Sequence, residues 1–343
     1  ECNALCFLPD IAGKRKAREQ RDAREIEEGR RMAAGREMGA SHLGALVLPG
    51  TEGETTCANG LPLAPAAVRM LGRFYRIQAV DDNPNLCRHI AMVRCTTVQN
   101  TAIVISEHYK ESVDNLIEEE RLHPEWAGPI AAQLASALAH LHEHGVVAGL
   151  ADLSALLVVP SQTRPVSGSA PLVRLAKFGI HVLSDGGADT TALSGAAMTL
   201  SPERMLCPEE CGQVSRKSDV WAFGCIAMQM ALNVLLRNVW TSQQLRAVIQ
   251  TAIENFKEGE SLLWPILQAL RVSTCLAGVS LPLPEGIDKK QPTGLLRVAE
   301  ECLRLRPAER PSMQRVKEML KEEGICRVDG WAELTERRAE TIE

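Results

Sequence analysis

Asp152, Lys177, Glu203, Asp219 and Arg310 are the residues whose charge and spacing raise a chemical question. They lie in a series of short stretches. The first runs Leu141-His142-Glu143-His144-Gly145-Val146-Val147-Ala148-Gly149-Leu150-Ala151-Asp152-Leu153-Ser154-Ala155-Leu156-Leu157-Val158, and Leu175-Ala176-Lys177-Phe178-Gly179 and Ser201-Pro202-Glu203 follow it. Ser218-Asp219-Val220-Trp221-Ala222-Phe223-Gly224 and Arg306-Pro307-Ala308-Glu309-Arg310-Pro311-Ser312 complete the series. The chemistry at issue is phosphoryl transfer. It requires a lysine on the nucleotide phosphates held by a glutamate, an Asp to orient the attacking hydroxyl, and an Asp and an Asn to grip Mg²⁺.

In order and spacing the stretches resemble the catalytic loop, the Asp-Phe-Gly metal motif and the Ala-Pro-Glu motif of protein kinases. Under that resemblance the His, Arg and Asp slots of the catalytic loop fall on Ala148, Gly149 and Leu150, the Lys slot on Asp152 and the Asn slot on Ala155. Leu150 cannot accept a proton, and Ala155 has no oxygen for a metal. Lys177 replaces the metal-binding Asp, which puts a cation where a divalent ion would sit. An ammonium within ~4 Å of Mg²⁺ is repelled by several kcal/mol at a protein-like dielectric.

A second argument needs no alignment. There is no lysine between Lys16 and Lys110 and no glutamate between Glu54 and Glu107, so the small lobe cannot supply the nucleotide-holding pair. Nor do Gly39, Gly44, Gly50, Gly53 and Gly60 have the spacing that brings backbone amides onto phosphates. No catalytic, cofactor-binding or metal-ligating residue is therefore expected, and ATP binding is doubtful. Glu203, Asp219 and Arg310 are expected to be structural. The resemblance implies that Glu203 and Arg310 form a buried ion pair and that Asp219 braces the catalytic-loop backbone. Breaking a buried pair costs roughly 3 to 5 kcal/mol, a reason to retain it without activity.

Lys177 leaves three readings open: a phosphate held without metal, a local ion pair with Asp152, or a tip in solvent. Serines and threonines in Ser184 to Thr199 are expected to be exposed, in a polar loop another kinase could modify.

These residues have to be held by a small sheet with a helix, then by a larger helical part. Thr101 to Ile105 is β-branched and predicts a buried strand, and Cys87 to Cys95 is a short apolar run of the same small sheet-and-helix part. Pro65 to Leu71 predicts a helix with Pro in its first turn. Helices are predicted over Ser112 to Glu120, Trp126 to His144, Ser218 to Leu232, Ser242 to Asn255, Leu262 to Leu270, Thr293 to Leu303 and Ser312 to Glu322. The fold class is α+β, a two-lobed protein-kinase-like fold. Its expected parts are a charged extension over 1–37, a small lobe over 38–108, a large helical lobe over 109–323 and a tail over 324–343. The extension mixes basic and acidic side chains with few large apolar ones, which suits an exposed helix or a partner-binding arm.

The chain has 343 residues, of which 45% are hydrophobic and 24% charged, enough for two cored lobes. A net charge of -5 argues against an extended nucleic-acid surface. Eleven cysteines without a framework spacing fit a reducing, cytoplasmic setting. Cys2/Cys6 and Cys207/Cys211 lack a second ligand pair at zinc-finger spacing, so no zinc is expected. No apolar run is long enough to cross a bilayer, and no membrane insertion is expected.

Further stretches narrow the resemblance. Met38-Gly39-Ala40, Asn59-Gly60-Leu61-Pro62-Leu63, Leu71-Gly72-Arg73-Phe74, Asn83-Pro84-Asn85-Leu86-Cys87-Arg88 and Leu175-Ala176-Lys177-Phe178-Gly179 together resemble the kinase-like domain of the TBC domain-containing kinase-like proteins. In that family the metal motif also reads Lys-Phe-Gly, and the glycine loop and nucleotide lysine are lost. Relatives can keep the His, Arg and Asn that are here Ala148, Gly149 and Ala155. The family's TBC domain is expected to promote GTP hydrolysis on Rab proteins through an Arg and a Gln. No Ile-x-x-Asp-x-x-Arg or Tyr-x-Gln signature occurs in this sequence. The resemblance thus implies a catalytically inactive kinase fold acting as an interaction or scaffold module with unidentified protein partners. Alternatives are a metal-independent nucleotide-sensing switch and an active serine/threonine kinase.

Overall fold

A computed structural model describes residues 48–49, 55–56, 65–80, 82–94, 102–107, 109–149, 152–160, 170–179, 198–206, 214–255, 261–276 and 294–325. By contact they divide into two units. One gathers the described residues up to Ala79 with His89–Ser106; the other gathers Val80–Arg88 and the described residues from Glu107 onward.

In the first unit, β1 (Leu48–Pro49) pairs antiparallel with β2 (Thr55–Thr56), and β3 (His89–Arg94) with β4 (Ala102–Ser106). Helix α1 (Pro65–Gln78) begins on a proline, whose missing N–H falls where a helix has no use for one. It runs beyond the expected end at Leu71. Gly72 costs a helix interior about 1 kcal/mol, but burial of Phe74 and Ile77 beyond it offsets that cost. At its end, Gln78 Nε2 donates to the carbonyl of His89 at 2.7 Å, fixing the helix to the first residue of β3.

The second unit is helical apart from one ladder. Its elements are α2 (Val113–Glu118), α3 (Pro124–Glu143), a 3-10 turn (Leu153–Ala155), β5 (Leu156–Val158), β6 (Val173–Leu175), α4 (Pro202–Leu206) and α5 (Arg216–Leu232). They continue with α6 (Leu236–Val239), α7 (Ser242–Glu254), α8 (Leu263–Leu276), α9 (Leu295–Cys302), a 3-10 turn (Pro307–Glu309) and α10 (Met313–Glu322). β5 and β6 pair antiparallel, Leu157 opposite Arg174.

Helices α3 and α5 form the core. Helix α3 buries Ile130, Leu134, Leu138 and Leu141 and packs against α5, α10 and β6. Ser215 caps α5 by accepting from the Ser218 amide, and the helix is buried on every side from Ser218 to Met230. It also packs tightly on α9. A β-carbon on Gly224 would stand 2.9 Å from Cys302 Cβ, so only glycine lets the two helices come this near. A polar network ties the ladder to α3. Gln133 Oε1 accepts from Val173 N at 2.7 Å and from Asn85 Nδ2 at 3.1 Å, while Gln133 Nε2 donates to the Pro171 carbonyl at 2.9 Å. Residues 85–87 bond to β6 from its other edge, through Leu175 N to Asn85 O at 2.7 Å and Cys87 N to Leu175 O at 3.0 Å.

Cys87, Cys225 and Cys302 are buried free thiols; burial pushes Cys87 and Cys225 up to about 12, so neither is a nucleophile at neutral pH. Cys2, Cys6, Cys207 and Cys211 lie outside the described residues. Among the described residues no helix is long and apolar enough to cross a membrane.

Candidate functional site

Chain direction at the loop after α3 is set by one carboxylate. Asp219, in the first turn of α5, is 1% exposed. Its Oδ2 accepts from Ala148 N at 2.8 Å and its Oδ1 from Gly149 N at 2.8 Å. His142, near the end of α3, places Nε2 2.9 Å from Asp219 Oδ2. Two backbone amides and a ring nitrogen therefore converge on a single side chain. The carboxylate holds the backbone whatever side chains that backbone carries.

Ala148 is fully buried, and its carbonyl accepts from Gly179 N at 3.0 Å, which ties the loop to the end of the Lys177-Phe178-Gly179 turn. Gly149 has φ 80°, in the left-handed region where a β-carbon is disfavoured. Arg204 of α4 reaches its carbonyl at 3.4 Å. Leu150 lies outside the described residues. Ala155 is fully buried, and its carbonyl accepts from Ala176 N at 2.7 Å.

Asp152 is 4% exposed and caps the 3-10 turn. Its Oδ1 accepts from Ala155 N at 2.8 Å and Ser154 Oγ at 2.7 Å. Burial raises its carboxyl above the ordinary value of 3.8, opposed by those two bonds and by the charge of Lys177. Lys177 itself is exposed, at φ 59°. Among the described residues no carboxylate stands within ion-pair distance of it. Of the three readings of Lys177, the contact with Asp152 is thus a long-range one and not an ion pair. Thr199, expected to be exposed, is instead buried at 5%; Ser184 to Ala197 lie outside the described residues.

Glu203 and Arg310 present a different kind of site. The Arg310 side chain is fully buried, and all five of its N–H donors are used. Nη1 donates to Glu203 Oε1 at 2.8 Å and Lys217 O at 2.9 Å; Nη2 donates to Glu203 Oε2 at 2.8 Å and Leu305 O at 3.0 Å; Nε donates to Arg304 O at 2.9 Å. The guanidinium carbon also sits 5.0 Å from the Trp221 ring centre. Burial raises the Glu203 carboxyl, but the bidentate bond and charge of Arg310 outweigh it and hold it below its ordinary 4.5. Lys217 Nζ donates to the Arg310 carbonyl, adding a second cation to the same corner.

The order of these elements and their bracing coincide with a family match. The protein kinase domain profile matches residues 75–321. The chain belongs to the protein kinase domain family. Among its relatives, the TBC domain-containing protein kinase-like protein of Gallus gallus is 28% identical over 225 residues, which cover 62% of this chain and 23% of that protein. The protein of the same name from Mus musculus is 24% identical over 268 residues, 74% of this chain and 27% of that protein. The one from Dictyostelium discoideum is 27% identical over 153 residues, 43% and 14% respectively. The chain thus spans about a quarter or less of the length of these relatives.

Protein kinases use Mg·ATP, and the described side chains of the loop after α3 and of the Lys177 turn do not fit it. The loop offers methyl groups at Ala148 and Ala155 and a hydrogen at Gly149. Asp219 is occupied by two amides and a histidine, and Asp152 is buried as a turn cap. The group at the metal motif is an exposed ammonium.

Two contributors escaped the sequence reading. His142 stood in a quoted stretch without a role, and its signal was a histidine on an otherwise apolar face of α3. Asp152 was weighed against Lys177, although Asp-Leu-Ser-Ala is itself a cap pattern.

Proposed function

We propose that the chain is a catalytically inactive protein-kinase-like domain that serves as a protein-interaction or scaffold module, with 38–108 and 109–323 as its small and large parts. The observation carrying this reading is the contrast at one loop. Asp219 holds the Ala148 and Gly149 amides at 2.8 Å, while the side chains at 148, 149 and 155 carry no group that can move a proton or ligate a metal. Glu203, Asp219 and Arg310 act as architecture in this reading, and the partners are proteins. A link to Rab-dependent membrane traffic would run through a TBC region such as the relatives' name describes.

Purified chain incubated with Mg·[γ-³²P]ATP should label neither itself nor a general substrate such as myelin basic protein. Labelling that Lys177→Ala abolishes would overturn the reading.

The exposure of Lys177 favours one other reading, a nucleotide-sensing switch without metal. In that case millimolar ATP should raise the melting temperature equally with and without Mg²⁺, because a ligand that binds only the native state stabilises it. An unshifted transition removes it.

A further inference from the structure

We propose that Arg174, Glu107 and Tyr109 form a releasable latch, which ties the chain entering β3 and leaving β4 to β6 and keeps Cys87 closed. The latch belongs to the fold whatever the domain binds.

Arg88 is the last residue before β3 and Glu107 the first after β4, and both belong to the second unit. Glu107 N donates to the Arg88 carbonyl at 2.9 Å, but the return bond goes to a side chain: Arg88 N donates to Glu107 Oε2 at 3.2 Å. The same oxygen accepts from Arg174 Nη1, which also donates to Tyr109 Oη at 2.9 Å. Arg174 stands on β6. One carboxylate oxygen therefore holds an amide at the entry to β3 and a cation of β6. Next to it Cys87 is fully buried with Leu157 and Ala176, and the half-buried Tyr109 packs against that cluster. The Arg174 guanidinium carbon lies 5.7 Å from the Tyr109 ring centre, within reach of a cation–π attraction.

Arg174 is buried like Arg310 and far less completely bonded. It is 5% exposed, yet its Nε has no hydrogen-bond partner among the described residues and both of its side-chain bonds leave from Nη1. A buried donor without an acceptor offsets part of what those bonds contribute. Glu107 has a side chain 26% exposed, so water can take over its charge when Arg174 lets go. A closed state with an unmet donor and an open state with a solvated carboxylate favour local opening well short of global unfolding. Cys87 reports that opening. Burial first, and then the Glu107 charge, push its thiol up to about 12, so it reacts only where the chain has opened.

The full chain is treated with N-ethylmaleimide, and the labelling rate of each cysteine is read by peptide mass spectrometry. In the parent, Cys87 should label sooner than Cys225 and Cys302, buried thiols of α5 and α9 that wait for global unfolding. Arg174→Met removes the donors and keeps the bulk; Cys87 should then label at least about tenfold faster, the scale of one lost charge-assisted hydrogen bond, while Cys225 and Cys302 keep the parent rates. Glu107→Gln leaves an oxygen for the Arg88 amide and should speed Cys87 alone by about threefold or more. The double variant should label Cys87 no faster than Arg174→Met, because both changes undo one contact. Cys87 labelling no sooner than Cys225 in the parent, unchanged Cys87 rates in the variants, or all three thiols accelerated together would overturn the proposal. Should Arg174→Met fail to fold, the Glu107→Gln rates decide.

Discussion

Glu203–Arg310 and Asp152–Lys177 are both pairs of opposite charges in the second unit, and they differ in how completely their charges are met. Arg310 places five donors on five acceptors, and both oxygens of Glu203 face it at 2.8 Å. Asp152 satisfies one oxygen through its own turn, while Lys177 stands in solvent without a close carboxylate among the described residues. The first arrangement leaves the guanidinium no donor for a ligand and makes sense as bracing between α4, α5 and the segment before α10. The second leaves a buried acceptor and an exposed donor apart. The electrostatics joining α4, α5 and the segment before α10 are closed, and those at Asp152 and Lys177 are open.

The sharpest way to break the comparison is at Arg310. Arg310→Ala strands the Glu203 carboxylate and several backbone carbonyls, and should lower stability by about 3–5 kcal/mol in urea denaturation. The pair also sets a pH dependence. Because Glu203 is held below 4.5 when folded, its contribution is present above that value and is lost as pH falls through the lowered folded value. Glu203→Gln should remove that part of the acid slope. If Arg310→Ala unfolds no more readily than the parent, the contrast between the two pairs collapses.

Next in size is Asp219→Asn. Its amide turns an NH₂ toward one of the two backbone N–H groups at 148 and 149, a clash of donors that should cost about 2 kcal/mol. An accompanying change in exchange rate of the Ala148 and Gly149 amides would localise the effect to the loop. Ala155→Asn, which returns the side chain an active kinase carries, should cost about 1–2 kcal/mol instead of restoring anything. Ala155 is fully buried, and the added amide has to be accommodated in filled space. Neutral behaviour of this variant would show that the loop has room for a larger side chain at this position.

Much of this was legible in the chain, for reasons that differ by element. Helix α3 announced itself through Ile130, Leu134, Leu138 and Leu141 at helical spacing. Helix α5, buried all round, has no amphipathic stripe and was read from the Ser218 to Gly224 stretch instead, so its first turn at Arg216 was missed. Helix α8 was cut short at Leu270, and it continues to Leu276. The two-residue strands β1 and β2 carry no pattern of their own. At the site, Glu203 and Arg310 were placed together from motif order across 107 residues, and their atoms lie 2.8 Å apart. The Gln133 network was not foreseen, because nothing in a buried glutamine's neighbours along the chain says which carbonyls it will meet.

The smallest effect is expected at Asp152, and it separates the two pairs by sign. Breaking the brace destabilises; removing the charge from Asp152 should stabilise. Its carboxyl is raised by burial above 3.8, so the folded state holds the proton more tightly than the unfolded one. The parent's stability from this group is therefore fully present below 3.8 and is lost as pH rises through the folded value. Asp152→Asn keeps an oxygen for Ala155 N and Ser154 Oγ and does not titrate. It should gain under about 1 kcal/mol at pH 7, since an unpaired amide is cheaper to bury than an unpaired carboxylate. The gain should close toward zero as pH falls below 4, measured by urea midpoints across pH 3.5 to 7.5. A constant offset at every pH would mean that Asp152 is not carrying an unmet charge, and a loss at pH 7 would mean that its free oxygen has a partner worth more than the burial it endures.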